Sequence, residues 1–449
     1  MSSETELSRL LTRALRAEQA KSRVPSISAA VVRGGAVIWA DAVGHVDGRA
    51  DGAAATQDTQ YRIGSITKTF AAVLMLRLVD DGVLALEDRL EQHLPEVKIG
   101  AVTLESLLSQ RSGLRAETEP PWWERTAGRT WLDLEAQLAL RPAARGVFHY
   151  SNVGFGVLAE VVARHRGRPW HQVLAEEVLK PLGMQRTTTR PQAPHAVGLA
   201  VHPYADLLHD EPEHHAGAMA AAGQLWSTTA DLGRWAHFLH TGAGDLLSAE
   251  SLAAMKQPRS WSDLPGQPWT VAYGLGLEVF NSDGRRSFGH GGSMPGFQAG
   301  LRFDSETGDA VITMHNTTSG ISGRLPGELA RLLAEHAPAG PPIWTADAGQ
   351  AGLVELTGAW FWGPAAVDMH LHPRGWVELT PRGRGRGSRF APTGTDTWVG
   401  LDGYYLGEEL RAVRVGDRLS HWDLASFRLT RTPYDPDGDI PGGAAGGWG

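Results

Sequence analysis

The chain is 449 residues long, with 42 lysines and arginines against 50 aspartates and glutamates, which gives a net charge of −8. This length exceeds what one hydrophobic core usually organises and predicts two domains, while the acidic balance gives no reason to expect a nucleic-acid or anionic-membrane partner. The sequence contains no cysteine, which excludes a thiol nucleophile, thiolate metal ligands and disulfide bonds, so a nucleophilic side chain must carry oxygen.

The N-terminal segment is predicted to form an amphipathic helix. Leucines alternate with charged residues at helical spacing over residues 5–21, and the segment lacks the continuous apolar core of a signal peptide. The rest of the sequence has no run of about 18 apolar residues, which a membrane-spanning helix needs. We therefore expect a cytoplasmic protein with no membrane partner.

A β-hairpin and a second helix follow. Two β-rich runs, 27–32 and 36–40, are joined through a pair of glycines, which predicts the hairpin. The helix is predicted to begin with Ser65 at its N-cap and to stop at Gly82. A hydroxyl at a helix N-terminus lies near free backbone N–H groups and the positive end of the helix dipole, and both favour a developing oxyanion.

Ser65 and Lys68 lie one helical turn apart, on one face of this otherwise apolar helix. Only five of the 42 basic residues are lysine, so the chain uses arginine almost wherever a permanent cation suffices. Because a desolvated lysine can release its proton and an arginine cannot, a lysine kept beside a serine indicates a base that activates the hydroxyl. The alternative is a chance serine beside a lysine whose ammonium group reaches solvent.

Residues 100–270 are predicted to form a helical subdomain that faces a sheet. Within it, Tyr150 lies on a loop that enters a helix over residues 153–162. The chain is then predicted to return to the sheet through three strand-like segments, 273–280, 298–303 and 310–315. His290 lies on or just after one of these strands, inside a predicted first domain over residues 1–338.

A Pro/Gly-rich linker over residues 337–342 precedes a second predicted domain. Residues 345–436 change to short alternating runs with glycine turns, which predicts a small all-β barrel. Seven of the 16 tryptophans lie beyond the linker, and they fit a tryptophan-filled barrel core and a ligand-lining role about equally well. Residues 437–449 are rich in glycine and are predicted to form a flexible tail.

Two further segments accompany the Ser65–Lys68 stretch, namely Tyr150-Ser151-Asn152 and His290-Gly291-Gly292. In this order and at these separations, the three resemble the serine β-lactamase and penicillin-binding-protein superfamily, in the branch that holds class C β-lactamases, D-stereospecific peptidases and esterases. The resemblance implies a β-lactamase-like α/β fold, in which helices flank an antiparallel sheet, with an appended all-β, lipocalin-like domain. It extends to connecting sequence over roughly the first three quarters of the chain: Tyr61–Phe70, Leu84–Asp88, Val102–Leu108, Ser112–Leu114 and Ala222–Asp231.

The resemblance implies a catalytic role for four residues, Ser65, Lys68, Tyr150 and His290. Ser65 attacks an acyl carbon, while Lys68 and Tyr150 pass its proton to the leaving group and later take one from the incoming nucleophile. The sequence leaves open whether the proton shared by Lys68 and Tyr150 rests on the amine or on the phenol. Gln110 and Arg111 stand where relatives often carry His-Thr, a departure whose effect the sequence does not reveal.

The resemblance also implies a set of binding positions. Asn152 is expected to orient the substrate amide. The segment Gly291-Gly292-Ser293 is expected to line the site, with the backbone N–H groups of Ser65 and Ser293 forming the oxyanion hole. His290 stands where many relatives carry the lysine of a Lys-Thr-Gly triplet.

The histidine at this position bears on the substrate. Lysine offers a permanent charge to a substrate carboxylate, whereas histidine, with a reference pKa of about 6.5, is mostly neutral at cytoplasmic pH. We therefore expect an acyl donor without that carboxylate, an ester or a thioester, in preference to a β-lactam or a peptide ending in free D-alanine. The histidines of the chain match no recognised ligand pattern, so we expect no metal and no cofactor.

Within the superfamily, the chain resembles the penicillin-binding-protein-type thioesterases, which combine the Ser-Lys-Tyr-His set with an appended small β domain. The resemblance implies a peptidyl thioester substrate with a C-terminal D-residue, which a carrier protein would present, and head-to-tail release of a macrocyclic nonribosomal peptide. One alternative is a cytoplasmic esterase or D-stereospecific peptidase or amidase with the same motifs. A second alternative is a catalytically silent binding protein on this fold.

Overall fold

The computed structural model describes residues 3–282, 285–340 and 344–433. Within these ranges the chain forms two compact units, one comprising residues up to 248 together with 255–340, the other residues 249–254 together with those from 344 onward. The predicted linker lies partly outside the described residues, and the predicted tail lies wholly outside them. Among the described helices, none combines the length and the apolar character that a membrane span requires.

The α-helices in chain order are α1 Ser3–Lys21, α2 Thr67–Asp80, α3 Leu90–His93, α4 Leu104–Leu108, α5 Trp131–Glu135, α6 Asn152–Arg166, α7 Trp170–Leu174, α8 Ala220–Gly223, α9 Thr229–Thr241, α10 Ala249–Lys256 and α11 Leu325–His336. The strands of the first unit are β1 Ser26–Arg33, β2 Ala36–Gly44, β3 Tyr61–Arg62, β4 Leu199–Val201, β5 Leu208–Asp210, β6 Trp226–Ser227, β7 Ser260–Trp261, β8 Val271–Tyr273, β9 Glu278–Ser282, β10 Arg285–Met294, β11 Phe297–Asp304 and β12 Ala310–His315. Those of the second unit are β13 Gly358–Trp362, β14 Ala365–Leu371, β15 Val377–Pro381, β16 Ser388–Gly394, β17 Thr397–Gly400, β18 Glu409–Val415, β19 Arg418–Leu424 and β20 Phe427–Leu429.

Eight antiparallel strands form the main sheet of the first unit, in the order β2-β1-β12-β11-β10-β9-β8-β7. Helices cover both faces of β1, so its side chains are buried on both sides. Ile27, Ala29 and Val31 pack in one core with residues of α1 and α11. On the opposite face, Gly233 of α9 lies so close to Val32 that a Cβ at position 233 would sit 2.9 Å from the valine methyl. This arrangement confirms the predicted fold of an antiparallel sheet flanked by helices.

Helix α2 is a core helix, since most of its residues are buried. It packs against α6 and α8. Phe70 of α2 stacks on Trp235 of α9, with ring centres 3.9 Å apart and ring planes 8° from parallel. A helix that is apolar on all sides has no face in water, so Lys68 in its first turn cannot extend to solvent and has no exposure at all. The alternative of a solvent-reaching lysine is therefore wrong.

The segment 273–280, predicted as one strand, is a tight hairpin. β8 ends at Tyr273 and β9 begins at Glu278, because Gly276 turns the chain with a φ of +73°. A Cβ at Gly276 would lie 2.3 Å from the Ala72 methyl, so the turn also requires glycine for its approach to α2. The apolar pattern of residues 273–280 gave no indication of this turn.

The second unit is an eight-stranded antiparallel barrel with the strands in chain order, β13 through β20. Phe361 of β13 exchanges backbone hydrogen bonds with Thr430, which follows β20, so the barrel is nearly closed. Trp360, Trp398 and Trp422 are buried at its centre, with Trp422 5.2 Å from Trp398 and 6.1 Å from Trp360 between ring centres. A tryptophan-filled core is therefore confirmed for these three. Two other tryptophans are exposed, Trp344 and Trp362.

Candidate active site

Ser65 lies on a sharp turn that links β3 to α2. Gly64 adopts a φ of +52°, and residues Gly64–Ile66 form a 3-10 turn before the α-helix begins. The prediction that Ser65 is the N-cap is wrong by one residue, since Ile66 occupies that position. Ser65 is half-buried, whereas its neighbours on both sides are fully buried. The turn therefore presents the hydroxyl at the edge of a tightly packed segment.

Lys68 is fully buried and directs its amine at this hydroxyl. The Nζ atom lies 2.8 Å from Ser65 Oγ and donates to the Ala222 carbonyl at 2.7 Å. Burial lowers the pKa of Lys68 to about 7, and the carboxylates around the site oppose this shift only in part. Near neutral pH, a large fraction of Lys68 is therefore a free amine, as a general base must be.

Tyr150 approaches the same hydroxyl from the loop before α6. The Ser151 hydroxyl caps this helix. The backbone N–H of Ser151 donates to Gln110 Oε1 at 2.8 Å, and this bond fixes the loop. The Nζ of Lys68 lies 5.0 Å from the centre of the Tyr150 ring. Burial raises the pKa of the phenol above its usual range, and hydrogen bonding to Ser65 offsets this rise only in part.

These two pKa shifts favour one placement of the shared proton. The pKa of Lys68 is lowered toward neutrality while that of Tyr150 is raised, both because burial disfavours the charged form. The phenol therefore keeps its proton, and the amine is the group that can accept one. Tyr150 is accordingly suited to donate a proton to a leaving group.

The rate of Ser65 acylation is expected to rise with pH and to level off above a midpoint near the pKa of Lys68, about 7. The sign follows because only the unprotonated amine can accept the serine proton. His290 should add no second inflection above this midpoint, since burial lowers its pKa. The test is the second-order rate constant for labelling by an uncharged fluorophosphonate between about pH 5.5 and 9. A rate independent of pH would contradict the role of Lys68.

Asn152 lies buried in the first turn of α6, beside an acidic side chain. Its Nδ2 donates to Glu117 Oε1 at 2.6 Å, and the other carboxylate oxygen of Glu117 accepts from Trp123 Nε1 at 2.7 Å. Among the described residues, Asn152 Oδ1 has no hydrogen-bond partner. The amide predicted to orient the substrate is thus tied to a carboxylate and retains one unpaired acceptor.

His290 is buried in β10, with its ring centre 6.3 Å from that of Tyr150. Its Nδ1 lies 2.5 Å from the Gly291 carbonyl oxygen, so Nδ1 carries the proton and donates it. The Nε2 atom then accepts from the Tyr273 hydroxyl at 3.0 Å. Burial lowers the pKa of His290, which keeps the ring neutral at neutral pH. Both ring nitrogens are therefore engaged by protein groups.

Strand β10 and the Ser65 turn approach each other closely at two glycines, Gly292 on the strand and Gly64 in the turn. A Cβ at Gly292 would lie 1.9 Å from the Ile63 carbonyl oxygen and 3.1 Å from Ser65 N. A Cβ at Gly64 would lie 2.4 Å from Ser293 N. Only glycine at both positions permits this approach, which brings the backbone nitrogens of Ser65 and Ser293 onto two adjoining segments. This is the arrangement that an oxyanion hole needs.

Three further residues shape the site, and none of them has a role that the sequence predicts. Gln110 is buried with a φ of +58° and holds the Tyr150 loop. Tyr273 binds His290, and Glu278 accepts the backbone N–H of exposed Gly291 at 3.0 Å. The only signal in the sequence was the departure from His-Thr at Gln110.

Comparison with known proteins shows the family to which the chain is similar. The Beta-lactamase family matches residues 11–336, and a family described as a domain of unknown function (DUF7586) matches residues 349–431. Penicillin-binding protein 4 of Amycolatopsis lactamdurans is 28% identical over 351 residues, which cover 69% of this chain and 88% of the relative. The chain spans 48–58% of the length of the next four curated relatives.

Solved structures show the same likeness. The octameric penicillin-binding protein homologue from Pyrococcus abyssi superposes with a TM-score of 0.63 at 20% identity, covering 93% of this chain and 98% of that one. A D-stereospecific amidohydrolase from Streptomyces sp. superposes with a TM-score of 0.59 at 25% identity, covering 74% of this chain and 99% of that one. With its fold, and with a family match over most of its length, the chain belongs to the β-lactamase and penicillin-binding-protein-like superfamily of serine hydrolases.

Proposed function

We propose that this protein transfers acyl groups through an ester on Ser65. The observation that carries the proposal is the fully buried Lys68 amine 2.8 Å from Ser65 Oγ, with its pKa lowered to about 7. In the proposed reaction, Ser65 Oγ bonds to the acyl carbon while its proton passes to Lys68. The tetrahedral oxyanion is held by the N–H groups of Ser65 and Ser293.

The leaving group then departs and Ser65 is later regenerated. The bond between the acyl carbon and the leaving atom breaks, and that atom takes the proton through Tyr150 and Lys68. In the second half, an amine or a water attacks the ester carbon and gives its proton to Lys68. The Ser65–acyl bond breaks, and the proton returns to Ser65 Oγ. Protons balance over the cycle, and no further reactant is needed.

The charges around Ser65 favour an acyl donor that lacks a carboxylate beside the scissile bond. His290 is neutral and buried, so it offers no cation to such a group. Three carboxylates, those of Glu117, Glu124 and Glu278, act electrostatically on Lys68. Because an additional anion would be repelled here, neutral thioesters, esters and amides fit better than β-lactams or peptides with a free C-terminal D-alanine.

The specific reaction that we propose is release of a peptide from a thioester, with ring closure by the amine of the peptide itself. The same acidic surroundings would attract the amine of the substrate in its protonated form. This ammonium group loses one proton to solvent before it attacks the ester carbon, and it gives a second proton to Lys68 during the attack. The proposed donor ends in a D-residue and is presented by a carrier protein. We also propose that the protein is cytoplasmic and that it binds neither nucleic acid nor membranes.

A second candidate is hydrolysis of amides or esters of D-amino acids. It is favoured by the similarity to the D-stereospecific amidohydrolase from Streptomyces sp.. The two candidates share the Ser65 ester and differ only in whether an internal amine or water attacks it. The product therefore distinguishes the two candidates: attack by the internal amine gives a ring, and attack by water gives a linear acid.

A peptide thioester mimic ending in a D-residue tests the proposed reaction. We expect mass spectrometry and chromatography to show the macrocycle as the main product, because the tethered amine is present at high effective concentration. Ser65→Ala should give neither ring nor acid above the uncatalysed rate. Linear acid alone from the wild type would refute the cyclase and favour the hydrolase.

A further inference from the structure

A cavity of about 220 Å³ lies beside the candidate active site. Its lining residues include the aromatic Phe148, Trp269 and Tyr273, together with the acidic Glu278. Tyr273 also forms the boundary with the reactive groups, since its ring packs edge-on against Tyr150 with centres 6.0 Å apart. The Tyr273 ring therefore separates the cavity from the Tyr150 phenol.

Among the described residues that line the cavity, Glu278 is the only acidic one. It is half-buried, and one of its oxygens accepts the Gly291 N–H at 3.0 Å. In the part of the chain that the structure describes, it forms no ion pair. Arg302 interacts electrostatically with Glu278 but forms no ion pair with it. The Arg302 guanidinium instead stacks over the Phe280 ring, 3.8 Å from the ring centre. An acidic residue that lines an aromatic cavity, and that forms no ion pair among the described residues, favours binding of a cation from outside.

Aromatic rings and a carboxylate recognise the same kind of group. The faces of aromatic rings attract ammonium and guanidinium ions, and the attraction is stronger where water is excluded. Trp269 already shows this preference, since the Arg286 guanidinium lies 5.0 Å from its ring centre. The apolar part of the wall, which includes Leu264, Pro268 and Val271, suits the aliphatic stem of a long basic side chain.

We propose that this cavity is a subsite for a basic side chain of the acyl donor, an ammonium or guanidinium group on an aliphatic stem. Glu278 joins the cavity to the reaction, because it binds β10 at Gly291, next to the glycine that contacts the Ser65 turn. The inference rests on the proposed acyl transfer and names the substrate class for it. Only the Tyr273 ring would separate a side chain bound in this cavity from Tyr150, which approaches Ser65.

The test uses two peptide thioesters that differ only in one C-terminal residue, D-arginine or D-citrulline, whose urea group has nearly the shape of guanidinium without its charge. We expect the wild type to prefer D-arginine about tenfold in kcat/KM, about the size of a charge-assisted hydrogen bond to the Glu278 carboxylate. Glu278→Gln should reduce the ratio to near one. Because the ratio compares two substrates on one enzyme, any general effect of the substitution on the reaction cancels. Glu87→Gln, the same change on an exposed loop, should keep the wild-type ratio.

Binding to the Ser65→Ala chain separates this proposal from the proposed function. Calorimetry with D-arginine amide and D-citrulline amide should show the same preference without turnover, and Trp269→Leu should weaken it. Equal binding of the two amides, or a preference that survives Glu278→Gln, would overturn the subsite. Absence of any Ser65 acylation in the wild type, with the binding preference present, would refute the proposed reaction and leave the subsite standing.

Discussion

Lys68→Arg is expected to slow acylation of Ser65 by at least about 10³-fold, within the range attributed to general-base catalysis. The guanidinium keeps its charge at all accessible pH values and cannot accept the serine proton. The buried amine, 2.8 Å from Ser65 Oγ, can do so because burial lowers its pKa to about 7. The measurement is the rate of fluorophosphonate labelling at a pH above this midpoint.

Two other variants separate the loss of a base from a loss of fold. Lys98→Arg makes the same substitution on an exposed loop and should label like the wild type. Lys68→Met removes the amine without adding bulk, and it should label as slowly as Lys68→Arg. Its midpoint of thermal unfolding should stay close to that of the wild type, because relief of the cost of burying the amine offsets the loss of its bond to the Ala222 carbonyl. Near-normal labelling of a folded Lys68→Arg chain would remove Lys68 from the base role.

Gly292→Ala is expected to have a comparably large effect although it changes no reactive group. The added methyl would lie 1.9 Å from the Ile63 carbonyl oxygen and 3.1 Å from Ser65 N, so the Ser65 turn or β10 must move. Such a shift would separate the backbone N–H groups of Ser65 and Ser293. Loss of one oxyanion donor typically costs about 10²–10³-fold in rate, and we expect acylation to fall by about that factor.

Gly291→Ala provides the matched control on the same strand. A Cβ at position 291 meets nothing within 4 Å, so this variant should keep its thermal midpoint and lose far less acylation rate than Gly292→Ala. Circular dichroism and thermal unfolding establish that both variants fold. Equal rates for the two folded variants would show that the close approach of β10 is unrelated to catalysis.

The sequence predicted best what depends on local spacing. The separation of Ser65 and Lys68 by one helical turn, and the apolar helix around them, placed an amine next to a hydroxyl before any long-range contact was known. The same holds for the hairpin of β1 and β2 and for the alternating strands of the barrel. In these cases the periodicity of the chain and the period of the structure coincide.

Contacts set by packing between distant segments could not be read in this way. The bond from Tyr273 to His290 depends on the tight turn at Gly276, which the apolar pattern concealed. The pairing of Asn152 with Glu117 joins two loops that no spacing rule relates. Convergence of Tyr150 on Ser65 was expected only from the resemblance, because the packing of α6 against α2 decides it.

The one-residue error at the helix start has a local cause. The sequence favours serine as an N-cap, but Gly64 with its positive φ adds a 3-10 turn and moves the cap to Ile66. The barrel shows a similar limit, since alternation places Trp360 and Trp362 on one face of β13 without telling that the strand ends at Trp362. Trp360 and Trp422 fill the core, whereas Trp362, two residues from Trp360, is largely exposed.

The most direct test of the central claim is the site of covalent labelling in the full-length chain. After reaction with an uncharged fluorophosphonate, intact-mass and peptide analysis should show one adduct, on the peptide that contains Ser65. The adduct should be absent from Ser65→Ala and nearly absent from Lys68→Arg over the same time. A folded wild-type chain that takes up no label, or takes it up equally after Ser65→Ala, would contradict the account.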